Sequence, residues 1–335
     1  MTYSRGRRGS SDEISPKPYE LIPFPKTPPL LTKPNGHHRY RDDRQHGSLS
    51  LMLNVQTPLH VSTGVIAMGS DVGQTVPLIK TMTETDQSLV IQGSSLKGCV
   101  RSIYETITNS TLAVVTPRYR RDMPRERLPC NQKDRLCPAS RIFGALDWQG
   151  LVSFNDARCQ QGGSTVGFMP SMYRPRVERK GYYRNGRVAG RKFYYHARRA
   201  VEGSKDRGVP VQQAARTYRF TTTIRFMNLQ DAELGALLIA LGQDQDYPFA
   251  LKIGGGKPIG MGTMTVSIDK IERMGNMCDR YQSYETESIL VSEPQAFIKG
   301  MVAAAHTQLI ETPQLQQLVE ILRYPTDRDA PSGMY

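Results

Sequence analysis

Nine residues rich in glycine, GGGKPIGMG from Gly254 to Gly262, have the backbone freedom either to bind a phosphate or to pack tightly. A P-loop would end in Gly-Lys-Ser/Thr, and both a P-loop and a dinucleotide-binding loop would be followed by a helix. This segment lacks that ending and precedes an alternating, strand-like run, so we expect no nucleotide cofactor here. The pattern predicts a turn that another segment of backbone can approach closely.

A second group of candidate residues lies at the start of a predicted helix, in GSSLKGCVRSIYE. Ser94 or Ser95 is placed to cap this helix. Lys97 and Arg101 share one face near the positive end of the helix, where a bound anion would offset their charge. They could equally be two ordinary exposed cations. A buried stripe is predicted at helical spacing and consists of Leu96, Val100, Ile103, Tyr104 and Ile107.

A third group lies in an arginine- and tyrosine-rich insertion at about 160–215. Asn185 and Gly186 predict a two-residue hairpin turn within RKGYYRNGRVAGRKFYYH. Guanidinium groups can bind phosphates, and tyrosine rings can stack on bases. The candidates are Tyr182, Tyr183, Arg184, Arg187, Arg191 and Lys192, with Tyr194 and Tyr195 as further aromatic residues. The alternative is a hairpin that packs its own aromatic rings or contacts a neighbouring subunit.

The positive charge of the chain, formally +13, is concentrated in a few segments. Lys and Arg outnumber Asp and Glu by fourteen to three between Tyr173 and Arg219, and by eight to three between Pro117 and Arg141. This distribution favours a polyanionic partner, whereas a solvated basic surface is the alternative. No apolar run approaches the ~18 residues that span a bilayer, and five cysteines suit a reducing compartment. We expect a cytoplasmic protein without a membrane partner.

The elements that position these residues divide the chain into three parts. Residues 1–46 predict an extended or disordered basic arm, 47–280 a core, and 281–335 a C-terminal helical tail. Without insertions at about 112–140 and 160–215, the core reads strand, helix, strand, strand, helix, strand. This order predicts an α+β fold, a modified ferredoxin-like or RRM-like core with two helices on one face of an antiparallel sheet. The other face would be open, and RRM-type folds use that face for RNA.

Four motifs occur in the order TPLHVSTG, GSSLKGCVRSIYE, LCPASRIFGALDWQGLVSFNDA and IGGGKPIGMGTMTV. Together they resemble the RAMP superfamily of CRISPR-associated proteins, most closely the Cas-seven-like backbone subunits of type III effector complexes. The resemblance extends from about Ser48 to Arg273. It implies an RRM-like subunit with a thumb-like hairpin that binds guide crRNA and contacts target RNA. The implied protein partners are neighbouring RAMP subunits and a large polymerase-like subunit.

The resemblance also implies which residues contact the guide RNA. It makes Ser94, Ser95, Lys97 and Arg101 phosphate contacts, and it makes the glycine-rich segment a close-approach loop beside the RNA. The candidate residues of that loop are Gly254, Gly255, Gly256, Lys257, Gly260 and Gly262. The basic hairpin would correspond to the thumb-like hairpin of the family.

Type III backbone subunits often cleave target RNA with an acidic residue between the first strand and the GSS helix. The family commonly has that Asp two residues before a Pro-apolar-apolar run. In this chain the run begins at Pro77, and Thr75 stands in place of the Asp. Asp71 is therefore the candidate catalytic residue, holding Mg²⁺ or positioning a ribose 2′-OH. Otherwise the subunit has no cutting site. His60 is a second candidate, as a base, and its alternative is a satisfied structural histidine.

Several type III relatives hold a structural zinc, for which Cys130 and Cys137 are the candidate ligands. Relatives often have Cys-x-x-Cys here, but this chain has Ser140 in place of the second cysteine, and tetrahedral zinc needs four ligands. The missing ligands would have to come from elsewhere, the candidates being Cys99, Cys159 and His196. Otherwise these are free buried cysteines.

Three functions are therefore compatible with the sequence. The chain could be a guide-RNA-binding backbone subunit of a type III interference complex. It could be a metal-dependent endoribonuclease subunit that acts through Asp71. It could also be an assembly subunit whose basic hairpin contacts other proteins and never touches RNA.

Overall fold

The computed structural model describes residues 18–170, 172, 180–204, 208–275, 282 and 288–331. The strands are β1 (Tyr19–Pro23), β2 (Gln45–Val55), β3 (Ser62–Met68), β4 (Leu78–Met82), β5 (Glu84–Thr85), β6 (Ser88–Ile91), β7 (Val152–Phe154), β8 (Ala157–Cys159), β9 (Thr165–Pro170), β10 (Tyr183–Arg184), β11 (Arg187–Val188), β12 (Gly190–Tyr194), β13 (Gly208–Gln213), β14 (Arg219–Leu229), β15 (Leu251–Lys252), β16 (Thr263–Met274) and β17 (Ser288–Leu290). The helices are α1 (Gly93–Ile107), α2 (Pro138–Phe143), α3 (Asp231–Ala240), α4 (Pro294–Gln308) and α5 (Thr312–Leu322).

The largest sheet has the strand order expected for the core. Its central part runs β16, β2, β14 and then β7 and β8, and neighbouring strands are antiparallel. If the four core strands are numbered along the chain, with β7 and β8 together as the second, their order in the sheet is fourth, first, third and second. The mixed α+β class and the antiparallel sheet predicted from the sequence are therefore present. Short strands at both edges, which the sequence pattern did not predict, extend the sheet beyond the four core strands.

The core lies between this sheet and its helices. In β2, Leu49, Leu51 and Leu53 are fully buried and alternate with half-buried neighbours, most of which are polar, as period-two alternation predicts. The predicted apolar stripe of α1 is also confirmed, since all five of its side chains are buried. Helices α1 and α3 contact each other.

The insertion at about 160–215 contains the predicted hairpin around Asn185 and Gly186, but it is more than this one hairpin. Its described residues belong to three sheets: β9 and β13 join β3 and β4, β10 pairs with β11, and β12 pairs with β1. The partners of β12 and β13 lie far away in the sequence, which a local pattern cannot reveal. Residues 173–179 and 205–207 lie outside the described residues.

The described part of the N-terminal arm, 18–46, packs on the core. Strand β1 pairs along its whole length with β12, and its Ile22 is buried. Arg127 fixes the chain beyond β1 by donating hydrogen bonds of 2.8 Å to the carbonyls of Pro25 and Thr27. Of the two predictions for the arm, extended or disordered, the extended one therefore applies to these residues. Residues 1–17 lie outside the described part.

The two C-terminal helices complete the same core. Helix α4 packs against α3, where a Cβ atom on Gly235 would lie 1.9 Å from the carbonyl oxygen of Met301. The absence of a side chain at Gly235 therefore allows the two helices to approach. Helix α5 contacts β1 and α1 and buries Leu315 and Leu318. None of the described helices is long and apolar enough to cross a membrane.

Candidate nucleic-acid interface

The start of α1 is held by an acidic residue of the protein itself. The backbone N–H of Gly93 donates a hydrogen bond of 2.7 Å to the Asp156 carboxylate. Gln92 is the N-cap residue, and neither Ser94 nor Ser95 caps the helix with its side chain, so that prediction was wrong. Ser94 is exposed, whereas Ser95 is half-buried with its hydroxyl 3.4 Å from the Gln92 side-chain oxygen.

The two cations on α1 share one face, as predicted, but both are occupied within the fold. Lys97 donates a 3.1 Å hydrogen bond to the Val152 carbonyl in β7. Burial and the nearby Arg101 charge lower the pKa of Lys97. Arg101 donates to Glu105 at 2.7 Å and to the Gly144 carbonyl at 2.9 Å. Their contact with RNA stays a prediction, and this geometry gives both a structural role.

Arg191 connects the basic insertion to the same helix. Its guanidinium hydrogen-bonds to the second oxygen of Glu105, so this carboxylate lies between Arg191 and Arg101. Only 1% of the Glu105 side chain is exposed. A buried carboxylate with two charge-assisted partners fixes the position of β12 against α1.

Two of the predicted stacking tyrosines, Tyr182 and Tyr194, contact Tyr19 of β1. Tyr182 lies in a short 3-10 turn before the hairpin, stacks on Tyr19 at 5.8 Å and donates a 2.7 Å hydrogen bond to its hydroxyl. The Lys192 ammonium lies 5.0 Å from the ring centres of both Tyr19 and Tyr194. These contacts favour the alternative in which the insertion packs its own aromatic rings. The side chains of Tyr19, Tyr182, Lys192 and Tyr194 are all half-buried.

The Asn185-Gly186 turn has the predicted geometry. Both residues have positive φ angles, 51° and 70°, and the flanking residues pair as Tyr183 with Val188 and Arg184 with Arg187. Two successive left-handed residues are what a type I′ hairpin turn requires. The result is a short ribbon that presents Arg184 and Arg187 at its tip.

Arg187 joins this ribbon to a second basic segment. Its guanidinium donates hydrogen bonds of 2.6 and 3.0 Å to the carbonyls of Arg121 and Met123. Those carbonyls belong to the turns that run from Pro117 to Arg127. Two basic regions that are separate in the sequence therefore form one surface.

We call this region the arginine surface; its exposed members are Arg118, Arg120, Arg121, Arg125, Arg184 and Arg187. Within the described residues, none of the six forms an ion pair with a carboxylate. Sequence reasoning missed the first four as site residues. The signal was the charge excess between Pro117 and Arg141, but charge alone does not show which arginines face solvent.

The open face of the large sheet is mostly polar and carries no aromatic side chain on its central strands. On β2 this face presents Ser48, Ser50, Met52 and Asn54, all half-buried. On β14 it presents threonines together with the exposed Arg219 and Arg225. RRM domains stack bases on aromatic residues of this face. That mode is therefore absent from β2, β14 and β16.

The glycine-rich loop is the tight turn that the sequence predicts. The backbone that packs closely against it is another segment of the same chain. Gly254 has a φ of 79°, and a Cβ atom there would lie 2.4 Å from the carbonyl oxygen of His60. Gly255 donates a 2.8 Å hydrogen bond to the same carbonyl. A Cβ atom on Gly262, at φ 82°, would lie 1.9 Å from the Ile253 carbonyl oxygen. The loop therefore packs tightly beside the connection between β2 and β3.

The remaining members of the loop and of α1 lie side by side. Gly256 and Gly260 also have positive φ angles, and Lys257 between them is half-buried. The Cys99 thiol of α1 lies 3.6 Å from the carbonyl oxygen of Lys252, just before the loop. The structure thus brings the helix and the loop together, as the resemblance implies. Contact of the loop with RNA stays a prediction.

His60 is enclosed beneath this loop. It is 2% exposed, and its Nδ1 donates a 2.7 Å hydrogen bond to the Gln212 carbonyl. Burial lowers the pKa of His60, so the ring is neutral at pH 7. This geometry favours the structural alternative over a catalytic base.

Asp71 lies in a 3-10 turn, Gly69–Val72, at the tip of the ribbon that β3 and β4 form. Its carboxylate is exposed, and its nearest polar neighbour is the Ser70 hydroxyl at 3.5 Å. Thr75 is exposed in the same connection. A single carboxylate can hold Mg²⁺ only together with water or substrate phosphates. Catalysis by Asp71 therefore stays a prediction.

The two candidate zinc ligands, Cys130 and Cys137, lie next to each other. The Thr111 hydroxyl is 3.4 Å from the Cys130 sulfur and 3.2 Å from the Cys137 sulfur. The Ser140 hydroxyl is 3.3 Å from the Cys137 sulfur. Burial opposes ionisation of Cys137, but hydrogen bonds from Cys130, Ser140 and Thr111 outweigh it and lower the pKa of this thiol.

The other predicted zinc ligands lie elsewhere in the fold. Cys99 faces Lys252, and His196 is hydrogen-bonded on both ring nitrogens, to Thr263 and to the Ala250 carbonyl. Cys159 lies in β8. The described residues contain no group of three or more His, Cys, Asp or Glu side chains that could hold a metal ion. Two thiols and two hydroxyls do not fit a structural zinc.

Comparison with known proteins places this geometry in a family. A family model of the RAMP superfamily matches residues 52–265, which is more than half of the chain. A search of curated proteins found no match. Proteins of the superfamily are generally CRISPR-associated and RNA-binding. The chain belongs to the RAMP superfamily.

Proposed function

We propose that this chain is a guide-RNA-binding backbone subunit of a type III CRISPR interference complex, and that the arginine surface binds the RNA backbone. The observation that carries this proposal is the contact of Arg187 with the 117–127 turns. This contact gathers six exposed arginines that have no carboxylate partner in the described part of the chain. Membership of the RAMP superfamily supports the RNA-binding class. The finer assignment to type III rests on the motif resemblance.

The chemistry of these surfaces favours recognition of the backbone over recognition of bases. Guanidinium groups bind phosphates whatever the sequence of the RNA. The central strands offer no aromatic platform, and Tyr182 and Tyr194 already contact Tyr19 or Lys192. Sequence recognition would then come from base pairing between guide and target, as in other RNA-guided effectors. Lys97 and Arg101 would act by positioning α1 beside the glycine-rich loop.

Co-purification of RNA tests this proposal. The full chain would be expressed in a host that carries a repeat–spacer array, and the bound RNA would be extracted and sequenced. We expect guide RNA with wild-type protein and little RNA with the triple variant Arg118→Ala, Arg120→Ala, Arg125→Ala. The matched control replaces Arg41, Arg198 and Arg323, which already form exposed ion pairs. Equal RNA in both variants would contradict the proposal.

A specific observation also favours a role in assembly. The ribbon of β3 and β4 exposes four large apolar side chains, each 56–60% accessible: Val65, Ile66, Met68 and Leu78. Exposed apolar residues grouped in this way mark surfaces that another molecule covers. A neighbouring RAMP subunit or the large polymerase-like subunit would be that molecule. Replacing the four residues with serine would then disrupt assembly while leaving RNA binding by the isolated chain intact.

Target-RNA cleavage is the enzymatic version of the same proposal. Asp71 lies at the tip of this ribbon, where it could hold Mg²⁺ together with phosphates of a bound target. Cleavage of complementary RNA that needs Mg²⁺ and is lost in Asp71→Ala, with binding retained, would assign this activity. Absence of cleavage by the wild-type complex would leave the subunit with a binding role alone.

A further inference from the structure

The Cys130 and Cys137 thiols form a close pair that the proposed RNA-binding function does not use. One hydroxyl, that of Thr111, lies within 3.4 Å of both sulfur atoms. The backbone N–H of Cys137 also points at the Cys130 sulfur, 3.4 Å away. The two sulfur atoms therefore lie close together around the Thr111 hydroxyl.

The two thiols differ in access to solvent. Cys137 is fully buried at the start of α2, where its sulfur accepts a hydrogen bond from the Ser140 N–H. Cys130 is only half-buried, and the residues that follow it, from Asn131 to Arg135, are exposed. A small reagent can therefore approach Cys130 more readily than Cys137. This is the arrangement of an attacking and a resolving thiol.

We propose that Cys130 and Cys137 are an oxidisable dithiol that forms a reversible intramolecular disulfide in place of a zinc site. The ligand shell carries the inference, since hydroxyl groups of Thr111 and Ser140 stand where further thiolates would be needed. In a reducing compartment the pair would stay reduced and would close under oxidation. Disulfides of this kind inside cells are typically transient.

The reaction needs a small-molecule disulfide as the oxidant. Cys137, whose pKa is lowered, loses its proton first and then takes up the proton of Cys130, whose pKa is raised by the hydrogen bond to Cys137 and by burial. The Cys130 sulfur attacks one sulfur of the oxidant, whose S–S bond breaks and releases a first small thiolate. The Cys137 sulfur loses its proton and attacks the Cys130 sulfur, and the mixed disulfide breaks to release a second small thiolate. The two protons leave with the small thiols, and the two electrons from the protein thiols reduce the oxidant.

Closure would act on the loop between the two cysteines. The disulfide would tie the exposed loop from Asn131 to Arg135 at both ends. Leu136, next to Cys137, pairs with Thr32 of the N-terminal arm through hydrogen bonds of 3.0 and 2.9 Å. The loop end is therefore already fixed, so the disulfide can form with little movement of the backbone.

Peptide mapping of the native full-length protein tests the inference. Purified protein would be treated with oxidised glutathione, blocked with iodoacetamide, digested with trypsin and analysed by mass spectrometry without reduction. We expect residues 128–133 and 136–141 to appear as one disulfide-linked species that a reductant separates. The protein, which has five cysteines, should lose two free thiols. Cys159→Ser should lose two as well, whereas Cys130→Ser should lose none.

Three results would overturn the inference, and the first two need no variant. One is that the two peptides stay unlinked, or that Cys130 stops as a mixed disulfide with glutathione. Another is stoichiometric zinc in the purified protein that is released when the thiols are modified. The third is a disulfide between Cys130 and a different cysteine. None of these results bears on RNA binding, so the proposed function is tested independently of this inference.

Discussion

The carboxylate of Asp156 accepts a 2.7 Å hydrogen bond from the backbone N–H of Gly93 and so occupies the start of α1. Without this contact the helix start would be the natural place for a phosphate. The negative charge that the cationic face of α1 requires is thus supplied partly by the fold. This leaves the arginine surface as the stronger candidate for phosphate binding.

Removing this contact should destabilise the protein without altering RNA binding. We expect Asp156→Ala to lower the free energy of unfolding by about 1–2 kcal/mol, the usual value of a helix N-cap with a charge. Asp156→Asn keeps an oxygen acceptor and should cost less. Urea unfolding measures the first effect, and RNA affinity under native conditions measures the second. Weaker RNA binding in a folded Asp156→Asn protein would show that the helix start does contact the ligand.

The close approach at the glycine-rich loop can be separated from its backbone conformation. Gly254 and Gly73 both have positive φ angles, but only Gly254 has a backbone atom, the His60 carbonyl oxygen, where a Cβ would lie. We expect Gly73→Ala to cost about 1 kcal/mol for backbone strain alone. Gly254→Ala should cost several times more, or prevent folding. Equal stabilities of the two variants in thermal unfolding would contradict the close-packing role.

Buried Lys252 makes stability depend on pH. Burial, with the nearby Lys257 charge, lowers the pKa of Lys252 from 10.5 to about 7, and no carboxylate is among the causes of that shift. Between these values the unfolded chain binds the proton and the folded chain does not, so the contribution of Lys252 to stability rises with pH. Lys252→Met should therefore stabilise the protein by about 1–3 kcal/mol near pH 7, with a smaller gain at pH 10. Parallel stability curves for the two proteins would show that the ammonium is solvated.

The ion cluster at Glu105 should serve the fold and not the ligand. Arg101→Met removes one of two guanidinium partners from a buried carboxylate, so we expect a loss of about 1–3 kcal/mol in unfolding free energy. Lys97→Met should cost less, because it removes only one hydrogen bond to a carbonyl. RNA affinity of both folded variants should stay within a factor of about two. A tenfold loss would restore these residues as phosphate contacts, at ~1.4 kcal/mol per factor of ten.

Local patterns allowed part of this structure to be predicted. The apolar stripe of α1 and the Asn185-Gly186 turn were predictable because helical spacing and hairpin geometry depend on neighbouring residues. The contact of Arg187 with Arg121 was not, because it joins segments 66 residues apart. The pairing of β1 with β12 was hidden for the same reason.

The sequence predicted the type of candidate site, a basic surface, but not which individual residues form it. Basic segments were recognised from their charge, but charge does not tell a solvated guanidinium from one that fixes the fold. Arg184 and Arg191 look alike in the sequence, and only Arg191 has a buried carboxylate as its partner. Cys130 and Cys137 were recognised as a pair, whereas the Thr111 hydroxyl between them could not be foreseen.

The salt dependence of RNA binding tests the central claim most directly. Fluorescence anisotropy would measure the affinity of wild-type protein and of the Arg118, Arg120, Arg125 triple alanine variant for two single-stranded RNAs of unrelated sequence. Three lost phosphate contacts should reduce the slope of log affinity against log salt by about 2, equally for both RNAs, at ~0.7 per contact. The Arg41, Arg198, Arg323 control should keep the wild-type slope. An unchanged slope in the first variant, or a loss confined to one RNA, would contradict backbone recognition by the arginine surface.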